Sequence, residues 1–366
     1  MSVQVYSSFD ALPERVTAFA EAAAQGDFFR DLAWFRTVLK TAVPAGDVLR
    51  LYVAEQRDQP VAALFASERR EAGRLKAHML LGAGQGLYST TYRPLLDDEH
   101  GAAGLREITT VLADASPPFD VLRFGGLDPR APDCAALLTA FRASGMIVQR
   151  FANFENWSED VRGLTFAQYV ARRPAHIGAV AERGCLGLPV TSLRFELASA
   201  GVSLAAPLID YALVDLQSTT PPEAHPDCIP ETARAAAGLG MLRLGLLYID
   251  DEPAAAQIWI VGGGKATQWR QRHAGRFAGL PIQIALTLAV LRRLFEIDRI
   301  GNIEFSRDSS DVAPDWLDGC EERAGIIVIN PRTAKGLLAA GRHIGVHWAM
   351  TAARRARSMA RRVGIG

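Results

Sequence analysis

LRLYVAEQRDQPVAAL occupies residues 49–64, and LRLGLLYIDDEPAAAQ occupies residues 242–257. Laid over each other at an offset of 193, they agree at Leu49/Leu242, Arg50/Arg243, Leu51/Leu244, Asp58/Asp251, Pro60/Pro253, Ala62/Ala255 and Ala63/Ala256. Each stretch reads as a strand, a tight reversal carrying Asp and Pro, and a second strand. The flanking runs are apolar on both faces, as in a sheet covered on both sides.

Working outward, the two copies keep the same order of elements. After the first come a strand near 73–81, a glycine-rich turn (Gly82, Gly84, Gly86) and a helix near 101–114. A strand at Asp120–Phe124, a helix near 133–144 and a strand at Met146–Asn153 follow. After the second come a turn at Gly262–Gly264, a strand near 265–272 and a long helix near 282–296. A strand at Asn302–Phe305, a short helix near 314–322 and a strand at Gly325–Ile329 complete it. A duplicated α/β unit explains this order most economically. The predicted division is an N-terminal unit at 1–156, a C-terminal unit at 157–340 and a basic amphipathic tail at 341–366. The segment from 157 to 240 opens the second unit. It carries a helical pattern at 165–184, a strand at Ser192–Ala198, a helix near 203–216 and a loop with Pro221, Pro222, Pro226 and Pro230.

The 366 residues suit two domains, and Lys+Arg and Asp+Glu balance at 40 each. That balance offers no electrostatic footprint for nucleic acid. Cys134, Cys185, Cys228 and Cys320 are scattered without a CxxC pair or His at metal spacing, so neither a zinc site nor a disulfide framework is expected. Acids at Asp10 and Glu14 and the lack of a continuous apolar stretch argue against a signal peptide, and no run is long enough for a spanning helix. A cytoplasmic chain, peripheral at the inner face of a membrane, is the expected setting. The tail supports the membrane contact: arginines at 342, 354, 355, 357, 361 and 362, no acid, and Ile344, Trp348, Met350 and Met359 between them. A solvated terminal helix reads the same way.

From Tyr169 to Leu338 the chain resembles GNAT-like acetyltransferases related to the FemAB peptidyltransferases and the CelD/BcsL polysaccharide-biosynthesis proteins. The residues that carry the resemblance are Tyr169, Arg172-Arg173-Pro174-Ala-His176-Ile177, Gly240-Met-Leu-Arg243-Leu-Gly245, Pro253-Ala-Ala-Ala-Gln257-Ile-Trp259 and Ala266-x-x-Trp269-Arg270-x-x-His273. Glu322-Arg323-x-Gly325-Ile and Asn330-Pro331-Arg332-Thr333 close the set, and Tyr88-Ser-Thr-Thr-Tyr92-x-Pro94-Leu95 is similar to a family segment in the first half. The resemblance implies an α/β fold of two tandem GNAT-like N-acyltransferase units with mixed central sheets. It also implies an acyl-CoA or acetyl-CoA co-substrate, no metal, and a small-molecule or lipid-linked amine acceptor of the cell envelope. The chain differs from the family at Leu280-Pro281-Ile282, where Ser-Pro-Gly is usual, and lacks the Tyr-Lys pair near Asp308. A non-catalytic binding or scaffold protein and a FemAB-like, aminoacyl-tRNA-dependent transferase therefore remain alternatives.

Acyl transfer to an amine needs a base, an aligned donor and stabilisation of the carbonyl oxygen. His273, at a strand end before the predicted donor loop, is the first base candidate, although a satisfied surface histidine fits too. Glu304 faces away from Ile303 and Phe305 on its strand, and Asp308 follows in the next loop; both are catalytic candidates. Trp269 and Arg270 suit a stacked, phosphate-gripping pair. Pro281 and Ile282 begin the helix on which a donor pyrophosphate would rest. Arg172, Arg173 and the polar Gln257 in an apolar strand are substrate-site candidates, each with a purely structural reading beside it.

Overall fold

The computed structural model describes residues 1–82, 88–183, 192–199, 201 and 203–342, apart from the side chain of Asp308. The strands are β1 (Ser2–Tyr6), β2 (Val48–Gln56), β3 (Gln59–Ala72), β4 (Ala77–Gly82), β5 (Leu95–Leu96), β6 (Val121–Leu127), β7 (Ile147–Asp160), β8 (Leu193–Ser199), β9 (Leu242–Ile249), β10 (Glu252–Gly262), β11 (Lys265–His273), β12 (Asn302–Phe305) and β13 (Gly319–Ile329). The α-helices are α1 (Glu14–Ala24), α2 (Leu32–Thr41), α3 (Gly101–Ala113), α4 (Pro132–Ala143), α5 (Phe166–Val170), α6 (Ala175–Arg183), α7 (Ala205–Leu216), α8 (Cys228–Gly238), α9 (Ile282–Arg293) and α10 (Ala313–Trp316).

The two repeated stretches are the hairpins β2–β3 and β9–β10. Their reversals are made by Arg57-Asp58 and Asp250-Asp251, all four in the left-handed region at φ 52, 62, 51 and 64°. Two such residues in succession match the right-handed twist of the flanking strands. Pro60 and Pro253 lie already on the returning strands, at irregular points of the pairing, where a missing N–H costs little.

All strands belong to one mixed sheet, ordered β1-β2-β3-β4-β6-β13-β7-β12-β11-β10-β9-β8, with β5 added to β3. Among the described residues, neighbours are antiparallel except β4–β6 and β11–β12. The last strand of the chain, β13, lies between β6 and β7 of the first half. β7 runs through the predicted boundary at 156/157: its early residues pair with β13, and Trp157–Asp160 also reach β12. Each half therefore completes its sheet with a strand of the other. One apolar core follows, running from Trp34, Phe65 and Leu122 in the first half to Leu244, Ile258 and Trp269 in the second. A second core lies under α9 on the opposite face, with Trp259, Leu286, Leu291 and Ile303. Helices α2 and α8, one from each half, pack on each other.

Three sequence expectations change. The helix expected at 314–322 is only Ala313–Trp316; from Gly319 the polar run Cys-Glu-Glu-Arg becomes strand, because pairing with β7 outweighs local helical preference. The helical pattern at 165–184 splits at Pro174, whose ring excludes a continuous helix. The proline-rich loop ends earlier than expected, since Pro230 sits in the first turn of α8, where proline is tolerated. The turn at Gly84 and Gly86 and the tail beyond Arg342 lie outside the described residues.

Candidate functional site

The two parallel pairs are where a sheet of this kind parts. In the second half, Lys265–Gln268 of β11 pair with Asn302–Phe305 of β12. Beyond that point the seam is stitched shut. The Ser306 N–H donates to the Gln268 carbonyl at 3.0 Å, and its hydroxyl donates to the Trp269 carbonyl at 2.8 Å. Trp269, fully buried, donates from Nε1 to the Tyr88 carbonyl at 2.8 Å and meets Trp34 edge-on at 6.3 Å. Arg270 and Arg272 are each 2% exposed. Glu223 accepts from Arg270 Nε at 3.0 Å and Arg272 Nη2 at 2.5 Å, and Asp215 accepts from Arg272 Nε at 2.6 Å. Two guanidiniums and two carboxylates thus balance inside the second half, and Arg270 also lies over the rings of Tyr88 and Trp269.

His273 and Glu304 do not converge. His273 pairs with Ala255 on the α9 face, whereas Glu304 pairs with Thr267, opposite Ile260, on the other face. His273 Nδ1 lies 3.3 Å from Gln283 Nε2, and burial holds its pKa below the ordinary histidine value. Glu304 is 2% exposed and bridges to Lys265 at 2.9 Å. Lys265 also reaches Asp27 at 3.2 Å. Burial opposes the lysine charge, but the two carboxylates outweigh it and raise its pKa. Asn156 joins this cluster: with its side-chain amide turned so that nitrogen faces acceptor and oxygen faces donor, it donates to Glu304 Oε1 at 2.8 Å and accepts from Arg323 at 3.0 Å. The group fastens β11 and β12 to the loop before α2.

The other candidates are placed as follows. Gln257 is fully buried and satisfied internally, donating to Thr287 Oγ1 at 2.7 Å and accepting from Trp259 Nε1 at 2.9 Å. Arg172 is exposed. Arg173 is buried against Tyr169, bridging to Glu159 at 3.2 Å and donating to the Trp316 carbonyl at 2.5 Å. Pro281 caps the start of α9, and Ile282 points into the core beneath it. The side chain of Asp308 is outside the described residues. Among the described residues no group of three or more His, Cys, Asp or Glu is placed to hold a metal, and no helix is long and apolar enough to cross a membrane.

In the first half a cavity lies beside the corresponding parallel pair among the described residues. Met79–Leu81 of β4 pair with Val121–Arg123 of β6; further along β6, which pairs with β13 on its other edge, the Gly126 carbonyl accepts from the Tyr92 N–H at 3.0 Å. The cavity, of about 530 Å³, opens there. Its floor is Gly82, Gly125 and Gly126, and its walls carry Arg69, Arg123 and Tyr88. Phe151, Asn153 and Phe154 enter from β7 at an irregularity that leaves Asn153 without a partner residue on β13, a device that re-aims side chains. Gly325 of β13 makes room for Phe151: a Cβ there would lie 2.1 Å from the ring. Asp47 holds Arg69 through two bonds of 2.7 and 2.6 Å. Arg123 lies 5.3 Å from the Phe151 ring centroid, and Arg307 lies 4.9 Å from that of Phe154. His225, in the loop before α8, and Arg307, after β12, are contributed by the second half. The His225 N–H donates to the Tyr88 hydroxyl at 2.9 Å, and burial pushes that hydroxyl's pKa up to about 12. Another cavity, of about 670 Å³, lies by Leu164, Phe166 and Phe295 at the far end of α9, away from both partings.

Sequence reasoning did not single out His225, Arg307, Arg69, Arg123 or Asn153. His225 lies in a proline-rich loop, and no spacing links it to β6 or β7. The signal within reach was Tyr88, part of the segment that resembles the family.

Comparison with known families finds that residues 190–311 match the acetyltransferase (GNAT) domain. Solved structures extend the likeness to the whole fold. FemX is 8% identical with a TM-score of 0.61, covering 90% of this chain and 98% of that one. L-PGS from Bacillus licheniformis is 12% identical with a TM-score of 0.53, covering 91% and 97%. A tandem GNAT protein from the clavulanic acid biosynthesis pathway is 13% identical with a TM-score of 0.50, covering 91% and 100%. No curated protein sequence matches the chain. The chain thus has a tandem GNAT-like fold. The matched region spans β8 to β12 and Arg307, while most residues that line the cavity lie in the half before it.

Proposed function

We propose that the chain is an N-acyltransferase that moves an acyl group from acyl-CoA to an amine of a cell-envelope precursor, with the reaction centred on the first-half cavity. The observation that carries this reading is the parting of β4 and β6. It opens into a cavity that both halves line, whereas the corresponding parting in the GNAT domain is filled by its own ion pairs. In this reading residues 1–156 and 157–340 act as two units of one enzyme, the second buttressing the first. The acetyltransferase description of the matched domain and the tandem GNAT relative support an acyl-CoA donor. The FemX and L-PGS relatives support an acceptor of the envelope. The tail beyond Arg342 is proposed to bring the chain to an anionic membrane.

Within the cavity, His225 is the group suited to take a proton from the attacking amine, and its backbone is fixed by Tyr88. Gly125, half-buried and without a side chain, lines the cavity and allows a substrate close approach to the sheet. The test is release of free CoA thiol from acetyl-CoA and from a long-chain acyl-CoA, with amino sugars, peptides and amine-bearing lipids as acceptors. His225→Ala is expected to slow release by about a hundredfold or more while the far-ultraviolet spectrum stays unchanged. Full activity in that variant, or no release with any pair, overturns the reading. Loss on His273→Ala with none on His225→Ala would return the reaction to the second half.

A further inference from the structure

We infer that β8 is an interface strand, along which a second copy of this chain joins the sheet antiparallel, about a two-fold axis at Phe195. Among the described residues β8 ends the sheet: it pairs with β9 along one edge and with no strand along the other. Such an edge presents backbone N–H and C=O groups to any chain that matches it. The side chains of β8 decide which chain that is.

Alternation divides Leu193–Ser199 between the two faces of the sheet. Leu193 and Leu197 pack against the core under α9, and Phe195, on their face, stays 41% exposed. Arg194 and Glu196 lie on the other face, over Tyr248. The Arg194 guanidinium is 3.8 Å from that ring's centroid, and Glu196 accepts from its hydroxyl at 3.3 Å. Both charged residues are exposed, and they form an ion pair along the strand. In a continuous antiparallel sheet directly opposite residues share a face, so a two-fold axis must bring some residue opposite its own copy. With Phe195 opposite itself, Arg194 stands against Glu196 of the second copy, and Glu196 against its Arg194. With Arg194 or Glu196 opposite itself, like charges meet, which is unfavourable. With Leu193 or Leu197 opposite itself, neither charge meets the other. The Phe195 register is thus the one in which both charges are answered. In it the exposed ring packs on its own copy, and Leu193 stands opposite Leu197. β1 ends the sheet on the other side, and its residues Ser-Val-Gln-Val-Tyr carry no charged side chain to select a register.

The experiment is sedimentation velocity of the full chain from micromolar to submillimolar concentration, repeated with Arg194→Glu, with Glu196→Arg and with those two variants mixed in equal amounts. The parent is expected to move from one chain mass to two as concentration rises. Each variant alone sets like charges opposite each other at both ends of the pairing, and is expected to associate about tenfold more weakly. In the mixture one chain supplies two glutamates and the other two arginines, so every opposite pair is again unlike. The mixture is expected to form a heterodimer with about the affinity of the parent, a recovery that misfolded chains would not show. Phe195→Cys gives a second reading. Opposite Cα atoms in an antiparallel pair stand about 4.5–5.5 Å apart, within reach of a disulfide, so mild oxidation is expected to link two copies of this variant and to leave the parent unlinked. A parent that stays a single chain throughout overturns the inference and leaves Arg194 and Glu196 as charges that only blunt an edge. Parent-like association in either single variant, no recovery on mixing, or no link through Phe195→Cys overturns it as well.

Discussion

The two partings of the sheet have the same strand order and opposite contents. Between β11 and β12 the seam is stitched by Ser306, roofed by Trp269 and filled by Arg270, Arg272, Glu223 and Asp215. Between β4 and β6 the corresponding space is a cavity lined by Gly82, Gly125 and Gly126, with Arg69 held by Asp47. The difference teaches that a repeated fold need not repeat its site. A buried charge must be paired, and once it is paired inside the protein it has little to offer a ligand.

Glu223→Ala is the sharpest way to break this comparison. It leaves two guanidiniums, each 2% exposed, with Asp215 as the acid still bonded to one of them. Removing one partner of a buried ion cluster typically costs about 3–5 kcal/mol, so the midpoint of chemical denaturation should fall well below the parent's. A loss under about 1 kcal/mol would show that these charges are solvated and that the second parting is not closed. Gly325→Ala attacks the open parting instead. The new methyl lies 2.1 Å from the Phe151 ring, which supports Arg123, so the ring must swing. Overpacking of this kind costs about 1–3 kcal/mol. The expected signature is slowed thiol release alongside the stability loss; unchanged release would detach Phe151 from the site.

The smallest effect concerns His273. Burial depresses its folded pKa below that of the unfolded chain. The unfolded chain therefore binds the extra proton first, and the stabilising difference is full above the unfolded value and lost as pH falls toward the folded one. The parent should lose slightly more thermal stability than His273→Gln between pH 7 and 5. Parallel curves would show that the imidazole is freely solvated.

Much of the fold was legible. The hairpins at 49–64 and 242–257 carry their turn chemistry in Asp58 and Asp251, and the glycines at 262–264 mark the next reversal, because these signals act over a few residues. Helix α8 and the strand character of Cys320–Arg323 were not legible. Pairing with β7 decides the second, and packing on α2 supports the first. At the site, the sequence pointed to polar residues in apolar strands and to the arginines before Pro174. Gln257, Arg270, Arg173 and Glu304 are indeed exceptional, but each is exceptional because it is buried and internally paired.

What the sequence determined by itself is the duplicated order of strands and helices, since period, turn residues and apolar runs are local. The tertiary structure alone decided that β13 would enter the first half and β7 would reach the second. That exchange merges two sheets into one, and it carries His225 and Arg307 to a cavity formed by residues as distant as Asp47. Pairing partners across so many residues are chosen by the fit of whole faces in the folded core, and no short-range pattern records them.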